Sequence, residues 1–519
     1  MKMSTITLET PYSTLPELVA LHARERGDHP ALMQDANSLS YRELDQQADR
    51  VAAALQRDGV MPGEAIAVCA ANSINYSVIF VGALRAGVVV APLAPSSTPE
   101  GLLGMLTDSA AKLFFVDAAV RDAIISVRER IQAPLYSLDN SVGEPTYSSW
   151  LSDAKPSAVQ LTPEMVFNII YSSGTTGDPK GIVQSHGMRW SHIQRALVLD
   201  YGTDSRTLIS TPLYSNTTLV SFLPTLGLGG TVVLMAKFDA ARYLALAEQH
   251  KITHTMLVPV QYQRIMARDD FDNYDLSSFI MKFSTSAPFH AALKADILAR
   301  WPGGLVEFYG MTEGGGSCIL AAHLYPNKLS TVGMPPEGHD MRVIDEEGVE
   351  LPRGEIGEVV GNSPGMMTGY LNKPTKTAEA EWYDSTGKRF IRTGDVGRFD
   401  EEGFLTLMDR KKDMIISGGF NIYPSDLEAE LRQHPELQDV TVIGVQSTSW
   451  GETPVGYVVT KSGADVNAEA VLEWFNARVG KTQRLNRVII TDELPRSAIG
   501  KVLKRELRDI FQAEFGLLS

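Results

Sequence analysis

Between Tyr171 and Gly181 the chain reads Tyr-Ser-Ser-Gly-Thr-Thr-Gly-Asp-Pro-Lys-Gly, directly after the apolar run Val166–Ile170. A buried strand that delivers such a loop is suited to gripping phosphate. Glycines let backbone amides converge on phosphate oxygens, hydroxyls donate further hydrogen bonds, and Lys180 adds a full charge. The arrangement is not the common P-loop, because Lys180 stands between Pro179 and Gly181 where that motif needs Gly-Lys-Ser/Thr. Gly480-Lys481-Thr482 has the right tail, but Phe475 stands where the first glycine belongs.

Other groups suited to a nucleotide lie downstream. In Tyr309-Gly310-Met311-Thr312-Glu313 the ring offers a face to a purine, the threonine a hydroxyl to a phosphate and the glutamate a hard oxygen to Mg²⁺. Asp395, in Thr393-Gly394-Asp395, can accept hydrogen bonds from both hydroxyls of a ribose. Competing chemistries lack their parts. No Gly-x-Ser-x-Gly elbow is present to start a hydrolase triad, and His250 and His254, although four apart, lack the glutamate of a zinc-protease helix. They read as structural.

The elements that must position these groups have an α/β rhythm. Ser40-Tyr41-Arg42-Glu43 has capping-box spacing, and Leu44, Ala48, Val51, Ala52 and Leu55 recur at helical intervals behind it. Short apolar runs at Ala65–Cys69, Val88–Ala91 and Leu113–Val116 read as strands, and Ala291–Ala299 as a helix. The stretch between Arg206 and Lys237 carries no charge but is broken by Pro212, Asn216, Pro224 and glycines, so buried strands and turns are expected there rather than a spanning helix. Further on, Asp400–Gly403 reads as a turn, Phe404–Met408 as a strand, and Asp409–Asp413 as a charge run closing the larger part. Pro424, Ser425, Asp426 and Glu428 suit the first turn of a helix.

A chain of 519 residues exceeds one ordinary domain, and its 44% hydrophobic content is ample for buried cores. The 62 acidic against 47 basic side chains give a formal charge of −15, which disfavours nucleic acid and anionic membranes as partners. Cys69 and Cys318 are too few for a disulfide framework, and the N-terminal residues lack an export pattern, so a cytoplasmic location is expected.

The loop at 171–181 resembles the phosphate-binding signature of the adenylate-forming superfamily: acyl-CoA synthetases, firefly luciferases and adenylation domains. Further blocks match in the family's order: Ser284-Thr285-Ser286-Ala287-Pro288, Tyr309–Glu313, Thr393-Gly394-Asp395, Asp409–Asp413 and Pro495–Lys501. The pattern is closest to coumarate- and chlorobenzoate-type CoA ligases. The resemblance implies an α/β fold with a large N-terminal lobe of layered sheets and helices over residues 1–411, and a small mobile α+β domain over 412–519. It also implies ATP, Mg²⁺ and coenzyme A as the small molecules used. Nucleotide binding falls to Ser172, Ser173, Gly174, Thr175, Thr176, Lys180, Ser286, Ala287, Pro288, Tyr309, Gly310, Met311, Thr312, Asp395 and Arg410. Glu313 takes the metal, and Lys501, Thr176 and Glu313 are the catalytic set. Lys412 matches the hinge between two half-reactions. Gly418 and Gly419 match the pantetheine tunnel, with Lys237, Trp450 and Arg484 at further coenzyme A contacts.

The implied reaction joins a carboxylic acid to AMP, with release of pyrophosphate, and passes the acyl group to coenzyme A. Gly314, Gly315 and Gly316 suggest room for a bulky acid, aromatic, phenylpropenoic or of medium chain, beside Tyr214, Asn216 and Phe283. Departures bear on detail. Pro212-Leu213-Tyr214-Ser215-Asn216 lacks a histidine that many relatives carry, Ala94-Pro95-Ser96-Ser97 lacks a basic residue for coenzyme A, and Ile416 and Glu307-Phe308 differ from plant coumarate ligases. The partner expected is a small-molecule acid, with a homodimer as the assembly left open. Two alternatives stay open: an enzyme that loads a carrier-protein thiol, and a non-catalytic nucleotide-binding protein.

Overall fold

Ser40 opens a helix over Tyr41–Arg57, with Glu43 Oε2 accepting from the Ser40 amide at 2.8 Å, and the residues spaced for burial are its buried face. Against it packs Ile74–Arg85, so closely that a Cβ on Gly82 would lie 2.4 Å from the Val51 Cβ. The computed structural model describes residues 6–139, 141, 145–172, 179–417, 420–464, 466–497 and 500–518. Packing divides the chain into two units, Met1–Asp340 with Gly361–Ile391, and Met341–Val360 with Arg392–Ser519.

The larger unit holds two sheets. In the first the strand order is Gly369–Tyr370, Gly181–Ser185, Val166–Tyr171, Val89–Pro92, Ala65–Cys69, Phe114–Val116, Leu135–Ser137. It is parallel from Val166–Tyr171 onward and antiparallel at the other edge. The second runs Ser317–Ala321, Gly304–Gly310, Met281–Ser284, His254–Leu257, Arg206–Ile209, Thr231–Leu234, Pro30–Gln34, Asn37–Ser40, parallel inside and antiparallel at both edges. Strands buried on both faces read as continuous apolar runs, which is why the sequence shows them so directly. One core joins residues of both sheets and of the helices between them, among them Val51, Phe80, Phe167, Ile193, Phe222 and Leu234.

The uncharged stretch after Arg206 corrects its expectation in part. Strands are present at Arg206–Ile209 and Thr231–Leu234, but between them lies a helix, Asn216–Gly227, with Pro224 inside it. Buried on nearly every side, it has no amphipathic period to announce it. Among the described residues no helix is long and apolar enough to cross a membrane.

In the smaller unit a sheet of order Phe420–Ile422, Ile415–Ser417, Gly451–Thr460, Leu437–Ser447, with Arg487–Ile490 also on Gly451–Thr460, carries the helices Pro424–Leu431, Ala468–Asn476 and Lys504–Phe515. The buried Glu428 organises it, accepting from Lys504 Nζ at 2.9 Å, Thr441 Oγ1 at 3.0 Å and the Val442 amide at 2.9 Å. The antiparallel pair Arg389–Phe399 and Leu405–Arg410 joins this unit from residue 392 onward. Arg392 and Lys411 both reach Glu358, and the Ser425 amide reaches Asp409 at 3.0 Å. Packing thus groups residues 392–411 with the C-terminal residues, whereas the expected boundary at 411/412 concerns motion about Lys412.

Candidate active site

The phosphate-type loop joins the antiparallel strands Val166–Tyr171 and Gly181–Ser185, and Ser172 and Lys180 close its base, the Ser172 amide donating to the Lys180 carbonyl at 3.0 Å. Ser173, Gly174, Thr175 and Thr176 lie outside the described residues. Lys180 Nζ sits 4.5 Å from the ring centroid of Tyr370, whose hydroxyl donates to Glu313 Oε1 at 2.8 Å. A cation and a carboxylate, 133 positions apart from Lys180 to Glu313, are therefore brought to one tyrosine. Burial, and then the Glu313 carboxylate, raise the Tyr370 hydroxyl far above its ordinary range, so it remains a donor. Glu313 is held further by its own carbonyl, which accepts from the Met367 amide at 2.7 Å.

Around this centre stand the other motif residues. Thr312 and Glu313 form a turn after the strand Gly304–Gly310, in which Tyr309 pairs with Cys318 and Gly310 with Ser317. The Thr312 carbonyl accepts from Gln184 Nε2 at 2.8 Å. Met311 packs with Ile182, Met367 and Tyr370. Ser286, at φ +81 a left-handed non-glycine residue, has its hydroxyl 2.5 Å from that of Thr217. A side chain in that region is strained, a condition that clusters at binding sites. Ala287 is half-buried and Pro288 exposed.

The expected acid-pocket residues fare differently. Tyr214 is half-buried, its hydroxyl bonded to Ser96 and pushed up to about 12 by burial. Asn216 Oδ1 accepts from Arg189 at 2.8 Å. Phe283 is 1% exposed, stacked on Tyr201 at 5.8 Å and tilted against Phe308 at 5.6 Å, and has no surface to offer a ligand. Gly314 and Gly315, expected to leave room for a bulky acid, leave none. A Cβ on Gly314 would fall 1.8 Å from the Gly365 carbonyl oxygen, and one on Gly315 2.5 Å from the Ile391 Cβ. The missing side chains admit protein, not substrate.

A second group of motif residues lies in the smaller unit. Asp395 and Arg410 face one another across the antiparallel pair, Arg410 Nε to Asp395 Oδ1 at 3.1 Å, and the Asp395 amide donates to Thr393 Oγ1 at 3.1 Å. Lys412 occupies the turn beyond Arg410. Its side chain is exposed, yet desolvation foremost lowers its ammonium below the ordinary lysine range. Lys501 ends a tight connection in which the Ser497 amide donates to the Lys501 carbonyl at 2.8 Å and Arg496 bridges the Gly500 carbonyl at 2.7 Å and Asp439 at 2.6 Å. Gly500, at φ +77, supplies the left-handed residue this turn needs. Gly418 and Gly419 lie outside the described residues, while Trp450, at 59% exposure, Arg484 and, in the larger unit, Lys237 are surface residues. Tyr370, Gln184 and Arg189 carry no signal in the sequence. Each reads there as an unremarked polar residue, and only long-range strand pairing and burial mark them.

The sequence profile described as AMP-binding enzyme matches residues 19–371, and that of the AMP-binding enzyme C-terminal domain matches residues 426–501. The chain belongs to the AMP-binding enzyme family. It is an adenylate-forming enzyme of the kind its motifs implied, with the family's large N-terminal and smaller C-terminal parts and ATP as its nucleotide. Among similar family members, a feruloyl-CoA synthase of an Amycolatopsis species is 33% identical over 491 residues, covering 93% of this chain and 96% of the relative. An indoleacetate–CoA ligase of Aromatoleum aromaticum is 32% identical over 511 residues, covering 96% and 98%. The ATP-bound crystal structure of MatB from Rhodopseudomonas palustris superposes with a TM-score of 0.84 at 29% identity, covering 96% of this chain and 99% of that one.

Proposed function

We propose that this family member is an ATP-dependent carboxylic acid:CoA ligase acting on an aromatic acid. The observation that carries the reading is the junction of Lys180 and Glu313 at Tyr370, a phosphate-seeking cation beside a hard oxygen ligand. The two relatives named above, a feruloyl-CoA synthase and an indoleacetate–CoA ligase, support coenzyme A as acceptor and an aromatic acid as substrate.

In the first half-reaction a carboxylate oxygen of the acid bonds to the α-phosphorus of ATP and the bond to pyrophosphate breaks. In the second the thiol of coenzyme A bonds to the acyl carbon and AMP leaves. Two anions meet in the first step, and Lys501 answers the charge that accumulates between them. One such pair at ~4 Å and an effective dielectric near 20 is worth roughly 4 kcal/mol, or about a thousandfold in rate. The Asp395 carboxylate takes the ribose hydroxyls, oriented by Arg410, and Lys412 is the pivot between the half-reactions. Glu313 suits Mg²⁺, since Tyr370 occupies Oε1 and leaves Oε2 with no hydrogen bond among the described residues. Bound there, the ion would neutralise phosphate charge.

Pyrophosphate release across a panel of carboxylic acids, with mass spectrometry of products made with and without coenzyme A, tests this. The expected product is the free CoA thioester of an aryl acid. Acyl-adenylate that is never transferred to coenzyme A points to a carrier-protein thiol as acceptor, and absence of release with every acid refutes an active ligase.

A further inference from the structure

The helix His186–Ala196 places Arg189, His192 and Arg195 three apart, along one stripe. Arg189 is 1% exposed, yet every partner of its guanidinium is neutral. Nε donates to Asn168 Oδ1 at 3.0 Å, Nη1 to Asn216 Oδ1 at 2.8 Å and His192 Nδ1 at 3.4 Å, and Nη2 to Gln184 Oε1. Arg195 donates to the Ser191 carbonyl at 3.3 Å and to His339 Nε2 at 2.9 Å, again with no carboxylate among the described residues. Both histidines are neutral: burial holds His192 well below its ordinary range and His339 at about 4. One guanidinium charge is thus fully buried and a second half-buried, with amides, imidazoles, a carbonyl and, 5.8 Å from Arg189, the Phe167 ring as their partners among the described residues. Buried charge without a counter-ion is costly, and charged groups perturbed in this way cluster at functional sites.

Among the described residues, a set of donors around these charges has no partner. His192 accepts through Nδ1 and so presents Nε2–H, Asn216 accepts through Oδ1 and so presents its amide hydrogens, and Arg195 retains Nη2. His192, Arg195 and His339 are each half-buried, so this end of the cluster keeps accessible surface. The cluster is wired to the candidate site at several points. Gln184, bonded to Arg189, also donates to the Thr312 carbonyl at 2.8 Å. Thr217, beside Asn216, meets Ser286 at 2.5 Å, and His339 Nδ1 lies 3.0 Å from the Ser317 amide.

We propose that His192, Arg195 and His339, with the buried charge of Arg189 behind them, form the far end of the acid pocket and select acids that carry a second carboxylate opposite the reacting one. The inference rests on the ligase reading above and adds a specificity-determining charge to it. The test compares matched acids on the full-length protein by pyrophosphate release: cinnamic against 4-carboxycinnamic acid, and hexanoic against adipic acid. The wild type is expected to favour an anion-ended member of a pair at least tenfold in kcat/KM. Arg195→Met should erase that preference by raising KM for the anion-ended acid at least tenfold more than for its plain partner, with kcat within about twofold. Arg195→Lys should restore part of it. No preference in the wild type, or an equal loss on both members of a pair in Arg195→Met, overturns the proposal. Should no acid release pyrophosphate, the ligase reading fails by itself. Thermal stabilisation by the same acids then decides this one: a larger shift with the anion-ended acid, lost in Arg195→Met, upholds it, and equal shifts overturn it.

Discussion

Lys501 is the residue proposed to answer the charge of the first half-reaction, and the backbone beside it is tied by Arg496, which donates to the Gly500 carbonyl at 2.7 Å and to Asp439 at 2.6 Å. Lys501→Ala should therefore leave the fold intact, lower acyl-adenylate formation about a thousandfold, and spare thioester formation from supplied acyl-adenylate. Equal loss in both assays would remove the role assigned to it. Gly315 makes the opposite case, a residue that looks functional and is structural. With the Ile391 Cβ 2.5 Å from where its own Cβ would stand, Gly315→Leu should destabilise the protein by about 1–3 kcal/mol through overpacking. Its kcat/KM values for short and aryl acids should fall together. A selective loss on aryl acids, with an unchanged melting temperature, would put the glycine back in the pocket wall.

Among the elements, the turn after Leu405–Arg410 is where the pivot proposed at Lys412 would act. Its carbonyl at Arg410 accepts from the Asp413 and Met414 amides at 2.9 and 3.1 Å, and Asp413 is tied to Arg508 at 2.7 Å, so residues on the C-terminal side of Lys412 are anchored to the last helix. Proline at 412 restricts φ to one narrow range where a pivot must vary it. Lys412→Pro is expected to retain pyrophosphate–ATP exchange within severalfold while slowing transfer to coenzyme A by at least tenfold. Loss of exchange along with transfer would mark the residue as structural.

For the molecule as a whole, buried histidines link stability to pH. His186 lies against Phe167 with ring centroids 5.0 Å apart and His254 against Tyr201 at 4.2 Å, and burial holds each at about 4, below the ordinary 6.5. Above pH 6.5 both are neutral folded or unfolded and contribute no pH dependence. Between 6.5 and 4 the unfolded chain takes up protons that the folded chain refuses, so stability falls as pH falls, by about 1.4 kcal/mol per pH unit for each histidine. Melting temperature should be flat from pH 8 to about 6.5 and decline below it, with a shallower decline in His254→Gln. An unchanged slope in that variant would show that His254 titrates normally.

The family, the layered α/β build and the order of the nucleotide motifs were legible in the amino-acid sequence, because each rests on contiguous residues: apolar runs for strands, a capping box at Ser40, and glycine-rich loops at strand ends. The closure at Ser172 and Lys180 and the pairing of Asp395 with Arg410 accord with such local reading. The helix Asn216–Gly227 escaped it because a segment buried all round has no period. The acid pocket escaped it more completely. Its glycines turned out to make room for Gly365 and Ile391, and Arg189, which in sequence is one more polar residue on a helix, became a buried charge held by Asn168, Gln184 and Asn216. These points were open until the chain was seen folded, since whether a glycine opens a cavity or admits a neighbour, and whether an arginine meets water or amides, depends on segments brought together from distant positions.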